Sequence, residues 1–294
     1  MKKWTSFCCF IGIWTCCILF AEPVKAEKNK KIIHYNDAGT TIREERIYPP
    51  SRSIQQGYYR TISHFKISGH LSKTEYFHDN KKTAQNGTIG TISYFDDSEN
   101  IVKIETLFSM NHQEESGIER SISYLDETGR KQKLEMRYTA SEQLKNGFSQ
   151  IIFYFNQAGI KTYEEHHNTS EKIEKDGYLK SSIFSDKQGL KLREIWHMSP
   201  DFINREQIDM IIFYYDKRGE EIKQEAHFTR TKARQLGYER AVYYFDQLGK
   251  VLKEERYHLK AQSKVRGIQK SIILYDSKGD VIIEKKYDQF GKLY

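Results

Sequence analysis

Hydrophobic and polar residues follow one another along this chain in a pattern that returns every thirty residues without an insertion. One unit reads AVYYFDQLGKVLKEERY (Ala241–Tyr257): β-branched and aromatic residues, a D-x-x-G turn, then charged residues alternating with apolar ones. IIFYYDKRGEEIKQEAH (Ile211–His227) lies one period before it, and SIILYDSKGDVIIEKKY (Ser271–Tyr287) one period after. TISYFDDSENIVKIETL (Thr91–Leu107) stands five periods upstream. Starts at 31, 61, 91, 121, 151, 181, 211, 241 and 271 give eight full copies and a final one of 24 residues. Alternation with period two predicts strands, here an aromatic-rich first strand and a charged second strand in each copy. Repeats of fixed length stack in one dimension, and each neighbour buries what a single copy cannot. The expected fold is mainly β: a linear array of nine strand–turn–strand–short-helix units, as a twisted antiparallel sheet or solenoid.

Glycine placement fixes the register. The ninth position is Gly in eight copies, with Glu99 the exception, and the twenty-seventh is Gly in seven, with Gln207 the exception. Such a concentration needs a backbone reason, and positive φ supplies one. At the ninth position, Asp126, Asp216, Asp246 and Asp276 each begin D-x-x-G, the chemistry of a type I turn closed by a glycine bulge. Before the second glycine, TASEQLKNG (Thr139–Gly147), NTSEKIEKDG (Asn168–Gly177) and TRTKARQLG (Thr229–Gly237) predict two-turn helices with a polar N-cap and Gly at C′. Ser199-Pro200-Asp201 adds Pro at the first helical position and an acid in the first turn. Tyr48-Pro49-Pro50 departs, and predicts an extended or turn segment in the first copy.

Charge is patterned as strictly. The thirteenth position is basic in most copies (Arg43, Lys73, Lys103, Lys133, Arg193, Lys223, Lys253), and the fifteenth is usually Glu. Residues two apart share a strand face, so this reads as a solvent face of paired signs. Arg60, Arg120, Lys180, Arg240 and Lys270 fall where the hairpin register sets them beside the Glu column. Hydrophobic residues make up 38% and charged ones 30% of the chain, which suits a thin structure, while 20 Tyr and 16 Phe argue against disorder. The whole chain carries +7, finely interleaved along the sequence with no basic run, so nucleic acid is not expected as a partner.

The N-terminus reads separately. Met1-Lys2-Lys3, an uncharged stretch from Trp4 to Ala21 and AEPVKA (Ala21–Ala26) form a secretory signal peptide, residues 1–26. The alternative is a single-span anchor at residues 4–21. All four cysteines (Cys8, Cys9, Cys16, Cys17) lie in that segment, so an exported chain from residue 27 to 294 is one cysteine-free repeat domain. Cysteine chemistry and zinc–thiolate sites are then excluded.

Candidate sites are few. His167, His197 and His227 share one repeat position, but successive copies set them about 10 Å apart, too far to share an ion. His166 and His258 complete no ligand set, and each D-x-x-G turn offers one carboxylate where calcium takes six to eight oxygens. No metal, cofactor or catalytic residue is expected, and the sequence lacks G-x-S-x-G, H-E-x-x-H, a P-loop and a dinucleotide fingerprint. The sixth copy breaks the pattern most, with Ser185 for an aromatic, Ile195 for Glu, Gln207 for Gly, and Trp196. These four mark a candidate binding region, because breaks in a regular array are where function departs from folding.

YYFDQLGKV (Tyr243–Val251) and YDSKGDV (Tyr275–Val281) resemble bacterial hairpin repeats: the YD repeats of the Rhs type, the MORN-like repeats and the cell-wall-binding repeats. The likeness covers about nine residues of each copy, and it implies an architecture of exported, stacked hairpins. The pattern YYxDxxGKxxKEExY is also similar to that of other exported bacterial repeat proteins. The resulting expectation is an exported, non-enzymatic scaffold in the periplasm, at the cell surface or secreted, binding a protein or envelope-polysaccharide partner. Two alternatives are an exported glycan hydrolase using paired carboxylates and a membrane-anchored spacer.

Overall fold

A computed structural model describes residues 28–260, 263 and 267–294. The signal or anchor read at the N-terminus lies outside the described residues, as do residues 261, 262 and 264–266. Among the described residues, no helix is long and apolar enough to cross a membrane.

Nine copies give eighteen strands in one unclosed antiparallel sheet, and each strand but the first and last pairs with the strands before and after it in the chain. In the eighth copy, Tyr238–Phe245 pairs with its hairpin partner Val251–His258 on one side. On the other it pairs with Glu221–Phe228, the second strand of the seventh copy. The two ladders differ. The hairpin ladder slips register twice, between Tyr238 and Arg240 and between Tyr244 and Phe245. The ladder between copies runs without a break. Each slip leaves one residue without a partner, and such bulges increase local twist.

The turns run along one edge of the sheet. The Asp246 carboxylate accepts from the backbone N–H of Leu248 and of Lys250, both at 2.8 Å, and Gly249 N–H donates to Asp246 O at 3.0 Å. Where glycine is missing the backbone still follows the turn: Glu99 sits at φ 62°. Along the other edge run seven described helices of seven residues each, between the second strand of one copy and the first strand of the next. In the sixth copy, Ser199 caps Pro200–Glu206 by accepting from Phe202 N–H at 3.2 Å.

The first copy corrects the sequence reading. Pro50–Gln56 is helical, because Pro50 takes the first helical position, where its missing N–H costs nothing. Pro49, directly before a proline, is extended, at φ −66° and ψ 159°.

Helices are joined as closely as strands. The Ser199 N–H donates to Gly177 O at 2.9 Å, and the N-caps from Asp79 to Thr229 all bind the end of the preceding helix in this way. Gly177 has two reasons to be glycine: φ is +82°, and a Cβ there would stand 2.1 Å from the Phe202 ring of the next helix.

No separate core layer is present among the described residues; the buried side chains belong to the sheet itself. Ile62, Ile122, Ile152, Ile212 and Val242 are buried, and so are Glu45, Glu105, Glu225 and Glu255. The Glu column is therefore no solvent face. All but one of these glutamates lie directly between β-branched residues of both neighbouring strands, as Glu225 does between Ile212 and Val242; Glu165 has Ile152 on one side and Ser182 on the other. Long basic side chains and Tyr rings lie over it. Polar side chains are also held inside the sheet by local bonds: the His258 ring contacts Gly237 O and Ser271 Oγ, each at 2.9 Å.

Beyond the ninth hairpin, Asp288–Gly291 turns once more and Tyr294 N–H donates to Lys286 O at 2.8 Å. The Tyr294 ring lies against Gly267, where a Cβ would meet it at 3.0 Å. In earlier copies a side chain of the following helix fills that place, as Phe202 does over Gly177.

Candidate functional site

Pairing in register sorts the strand residues onto two faces, and the faces are built differently. One, the ladder face, holds positions 2, 4, 13, 15 and 17 together with the residue that precedes each copy. Its central row alternates β-branched residue and glutamate across the sheet: Ile62, Glu75, Ile92, Glu105, Ile122, Glu135, Ile152, Glu165. The row beside it alternates aromatic and base, and the cations sit on the rings. Lys103 Nζ is 3.6 Å from the Tyr94 centroid, Lys223 Nζ 3.6 Å from Tyr214 and Lys253 Nζ 3.7 Å from Tyr244.

Glu225 shows the repeating unit. Lys223 Nζ lies 3.0 Å from its carboxylate on the same strand, and Arg240 Nη1 3.1 Å away on the first strand of the next copy. Burial alone would raise its pKa. Hydrogen bonds from Lys223 and Tyr214, with the charges of Lys223 and Arg240, outweigh that and hold it below the ordinary value. Arg60–Glu45 at 2.9 Å, Arg120–Glu105 at 2.8 Å, Lys180–Glu165 at 3.1 Å and Lys270–Glu255 at 3.8 Å repeat the second contact. All five basic residues named from the sequence thus meet the Glu column. They do so between copies rather than within the hairpin. Arg60 lies diagonal to both Glu45 and Glu75, and the twist of the sheet makes the two diagonals unequal.

The charge balance of the faces is unequal as well. On the ladder face the residue before each copy is basic in six of nine cases and the thirteenth position in seven of nine, with Arg137 and Lys285 besides. Seven glutamates oppose these fifteen cations, which leaves eight positive charges in excess. The opposite face, called here the variable face, holds positions 1, 3, 5, 11, 14 and 16 and carries seven basic against six acidic residues. Basic residues that look scattered along the chain therefore gather into a stripe on one face, which corrects the picture of evenly mixed charge.

The four residues singled out in the sixth copy do not converge. Ser185 ends the first strand opposite Lys191, at the bulge near the turn. Ile195 is on the ladder face between Ser182 and Ile212, so the glutamate of the central row is missing there. Arg193 consequently has no carboxylate two residues on, and its guanidinium stacks on Phe184 at 4.2 Å. Trp196 faces the other way. Its ring lies between Tyr178, stacked at 4.4 Å, and Phe213 at 4.7 Å, and its Nε1 donates to Glu194 at 2.7 Å. Gln207 ends a helix at the far edge at φ 60°, donating to Ile203 O and Asn204 O and accepting from Thr229 Oγ1 at 2.8 Å. It stitches two helices together with its side chain where other copies use a glycine.

The sequence reading missed Glu194. Lys191 Nζ at 2.6 Å, Trp196 Nε1 at 2.7 Å and the Tyr215 hydroxyl at 3.3 Å surround it on the variable face. Burial would raise its pKa, but hydrogen bonds from Lys191 and Trp196 lower it on balance. Glu221 moves the other way, raised by burial and by the Glu194 charge against the pull of Lys191. Tabulating the fourteenth position, where Glu44, Glu164, Glu194, Glu254 and Glu284 recur, would have exposed this second carboxylate column.

The histidine column stays apart. His167 lies 3.2 Å from Glu165, His197 3.2 Å from Ser182 Oγ and His227 3.6 Å from Glu225, with a strand between each pair of histidines. Among the described residues, no three His, Cys, Asp or Glu side chains are placed to hold one metal ion.

No protein-family model and no curated protein matches the chain. Among solved structures, it is similar to a chain of the Photorhabdus luminescens Tc holotoxin pore at 12% identity, covering 91% of this chain and 15% of that one, with a TM-score of 0.17. A TcdB2–TccC3 structure lacking the hypervariable C-terminal region matches at 9% identity over 90% of this chain and 18% of the other, with a TM-score of 0.14. The chain spans less than a fifth of the length of either, and scores this low carry no argument about function.

Proposed function

We propose that this chain is an exported, non-enzymatic repeat scaffold that presents an extended surface to a partner in the cell envelope. The observation that carries the reading is the lateral use of charge. Ladder-face carboxylates are engaged by bases of their own and the next copy, so polar groups form rows along the sheet rather than converging on one reacting centre. Export rests on the N-terminal sequence, and the partner class on an open, periodic surface of about 80 Å across eighteen strands. Retention of the chain on isolated cell-wall sacculi and envelope extract, against a control protein of equal charge, tests it. Retention above the control is expected; none would overturn it.

Glu194 and Glu221 favour one second reading, a glycan hydrolase, because their environments push two neighbouring carboxyls in opposite directions. Three donors already hold Glu194, and the adjacent Trp196 ring is stacked on by Tyr178 and packed at a tilt by Phe213. That is the setting of an ion-pair anchor. Measurable glycan cleavage by the chain that Glu221→Gln abolishes would reverse the order of the two readings.

A further inference from the structure

The ladder face has a period, a sign and a gap, and together these describe a ligand. Two strands per copy set equivalent cations about 10 Å apart along the sheet axis. Five of the seven at the thirteenth position sit on an aromatic ring, as Lys103, Lys223 and Lys253 do on Tyr94, Tyr214 and Tyr244, so their positions are fixed before anything binds. Glu45, Glu225 and Glu255 each meet two cations, and the fifteen cations and seven glutamates of the face leave about one positive charge per copy without an internal opponent. These cations are open to water: the side chains of Lys73, Lys133, Arg240 and Lys253 are between 28% and 32% exposed. In the sixth copy Ile195 replaces the glutamate, and Arg193 stands over Phe184 beside an apolar floor of Ile195 and Ile212.

We propose that the ladder face binds a linear acidic polysaccharide laid across the strands, with one anionic group per disaccharide meeting one copy, and that Arg193 is its strongest single contact. The proposal rests on the scaffold reading above and narrows its partner to one chemistry. A pyranose unit in an extended glycan is about as long as one step between strands, so every second ring falls opposite the same position of successive copies. Charge complementarity then accumulates without bending either component. A nucleic acid strand matches less well. Its charges recur about every 3.4 Å, so a surplus of one cation per copy would leave most phosphates unopposed.

The experiment measures binding of the full chain to hyaluronan, to neutral dextran and to single-stranded DNA at two salt concentrations. Hyaluronan should bind, weaken with salt as screened contacts do, and exceed both other polymers. Arg193→Gln should weaken hyaluronan about fivefold and reduce its salt dependence, as loss of one charge contact does in other polyanion complexes. Lys131→Gln, the same change on the variable face, should alter it less than about twofold. Both variants are compared by circular dichroism and urea midpoint, so lost binding is separated from lost fold. Equal binding of dextran, tighter binding of DNA, or equal losses in the two variants would each overturn the proposal. Retention on sacculi without hyaluronan binding would sink this inference and leave the scaffold reading standing. Hyaluronan binding without retention on sacculi would do the reverse.

Discussion

The two faces of the sheet share every backbone hydrogen bond and yet follow different rules. On the ladder face the same residue types recur copy after copy, and the contacts of Glu225 are those of Glu255 and, with a Tyr for a Lys, those of Glu165. On the variable face neighbouring positions change character along the chain. The first position of the copy is Thr or Ser in copies two to four, Ile in copies five and seven, and Ala in copy eight. A twisted single sheet needs one face regular enough to hold strands in register, and that face has the row of Ile and Glu. The other face is free to vary provided each buried polar group finds a partner, as Glu254 does in Arg256 at 2.6 Å and the Tyr275 hydroxyl at 2.6 Å.

Acid should have the largest effect, and it reaches both faces, since Glu44, Glu164 and Glu194 of the variable face are also held below 4.5. Glu135, Glu165, Glu225 and Glu255 are held below their ordinary 4.5: burial would raise them, but bonds from Lys, Tyr or His partners prevail. Their contribution is complete above pH 4.5 and is lost as pH falls through the lowered values. His197 and His227 are held below 6.5, chiefly by burial, so the unfolded chain takes up their protons first and a smaller loss begins as pH drops below 6.5. Urea midpoints from pH 8 to 3 should fall gently from about 6.5 and steeply below about 4.5, with salt easing the second phase as excess cations are screened. A midpoint that rises on acidification would contradict this assignment.

Side-chain truncation comes next. Ile122→Ala removes a buried member of the ladder row and should cost about 2–3 kcal/mol. Ser121→Ala, one residue away on the variable face, should change stability by less than about 0.5 kcal/mol. Similar losses from the two would show that the faces contribute alike. The smallest effect expected is that of repair. Ile195→Glu restores the missing glutamate beside Arg193, and exchanging apolar burial for an ion pair should shift stability by less than about 1.5 kcal/mol in either direction. A loss of about 4 kcal/mol or more would mean the sixth copy has adapted its surroundings to an apolar residue.

Much of the fold is legible in the sequence because the backbone demands are local. Asp246 and Gly249 specify a turn by themselves, and Ser199-Pro200 a helix start. The period also carries the count of strands, and the return of the chain at Asp288–Gly291 follows from the repeated turn residues. Errors arose where the outcome depends on what lies alongside. Pro50 looked like a break when read alone and is a helix start in place. The glutamates looked exposed because a strand with charges on alternate residues usually faces water, whereas here two flanking β-branched neighbours and overlying bases bury them. Arg60 could have met either of two glutamates, and only sheet twist chose between them. The charged stripe was hidden for a related reason: residues two apart and copies thirty apart must be sorted by face before a sum means anything. Of the four candidate residues in the sixth copy, alternation already places Ile195 and Trp196 on opposite faces, a point visible in the sequence and easily passed over when departures from consensus are gathered by copy.

Lysine labelling of the full chain, with and without hyaluronan and read residue by residue by mass spectrometry, tests the central claim most directly. The account predicts protection of Lys73, Lys103, Lys133, Lys223 and Lys253, all on the ladder face, while Lys131, Lys161, Lys191 and Lys286 on the variable face keep their reactivity. Protection spread equally over both sets, or confined to the second, would contradict the division of the sheet into a binding face and a face left free to vary.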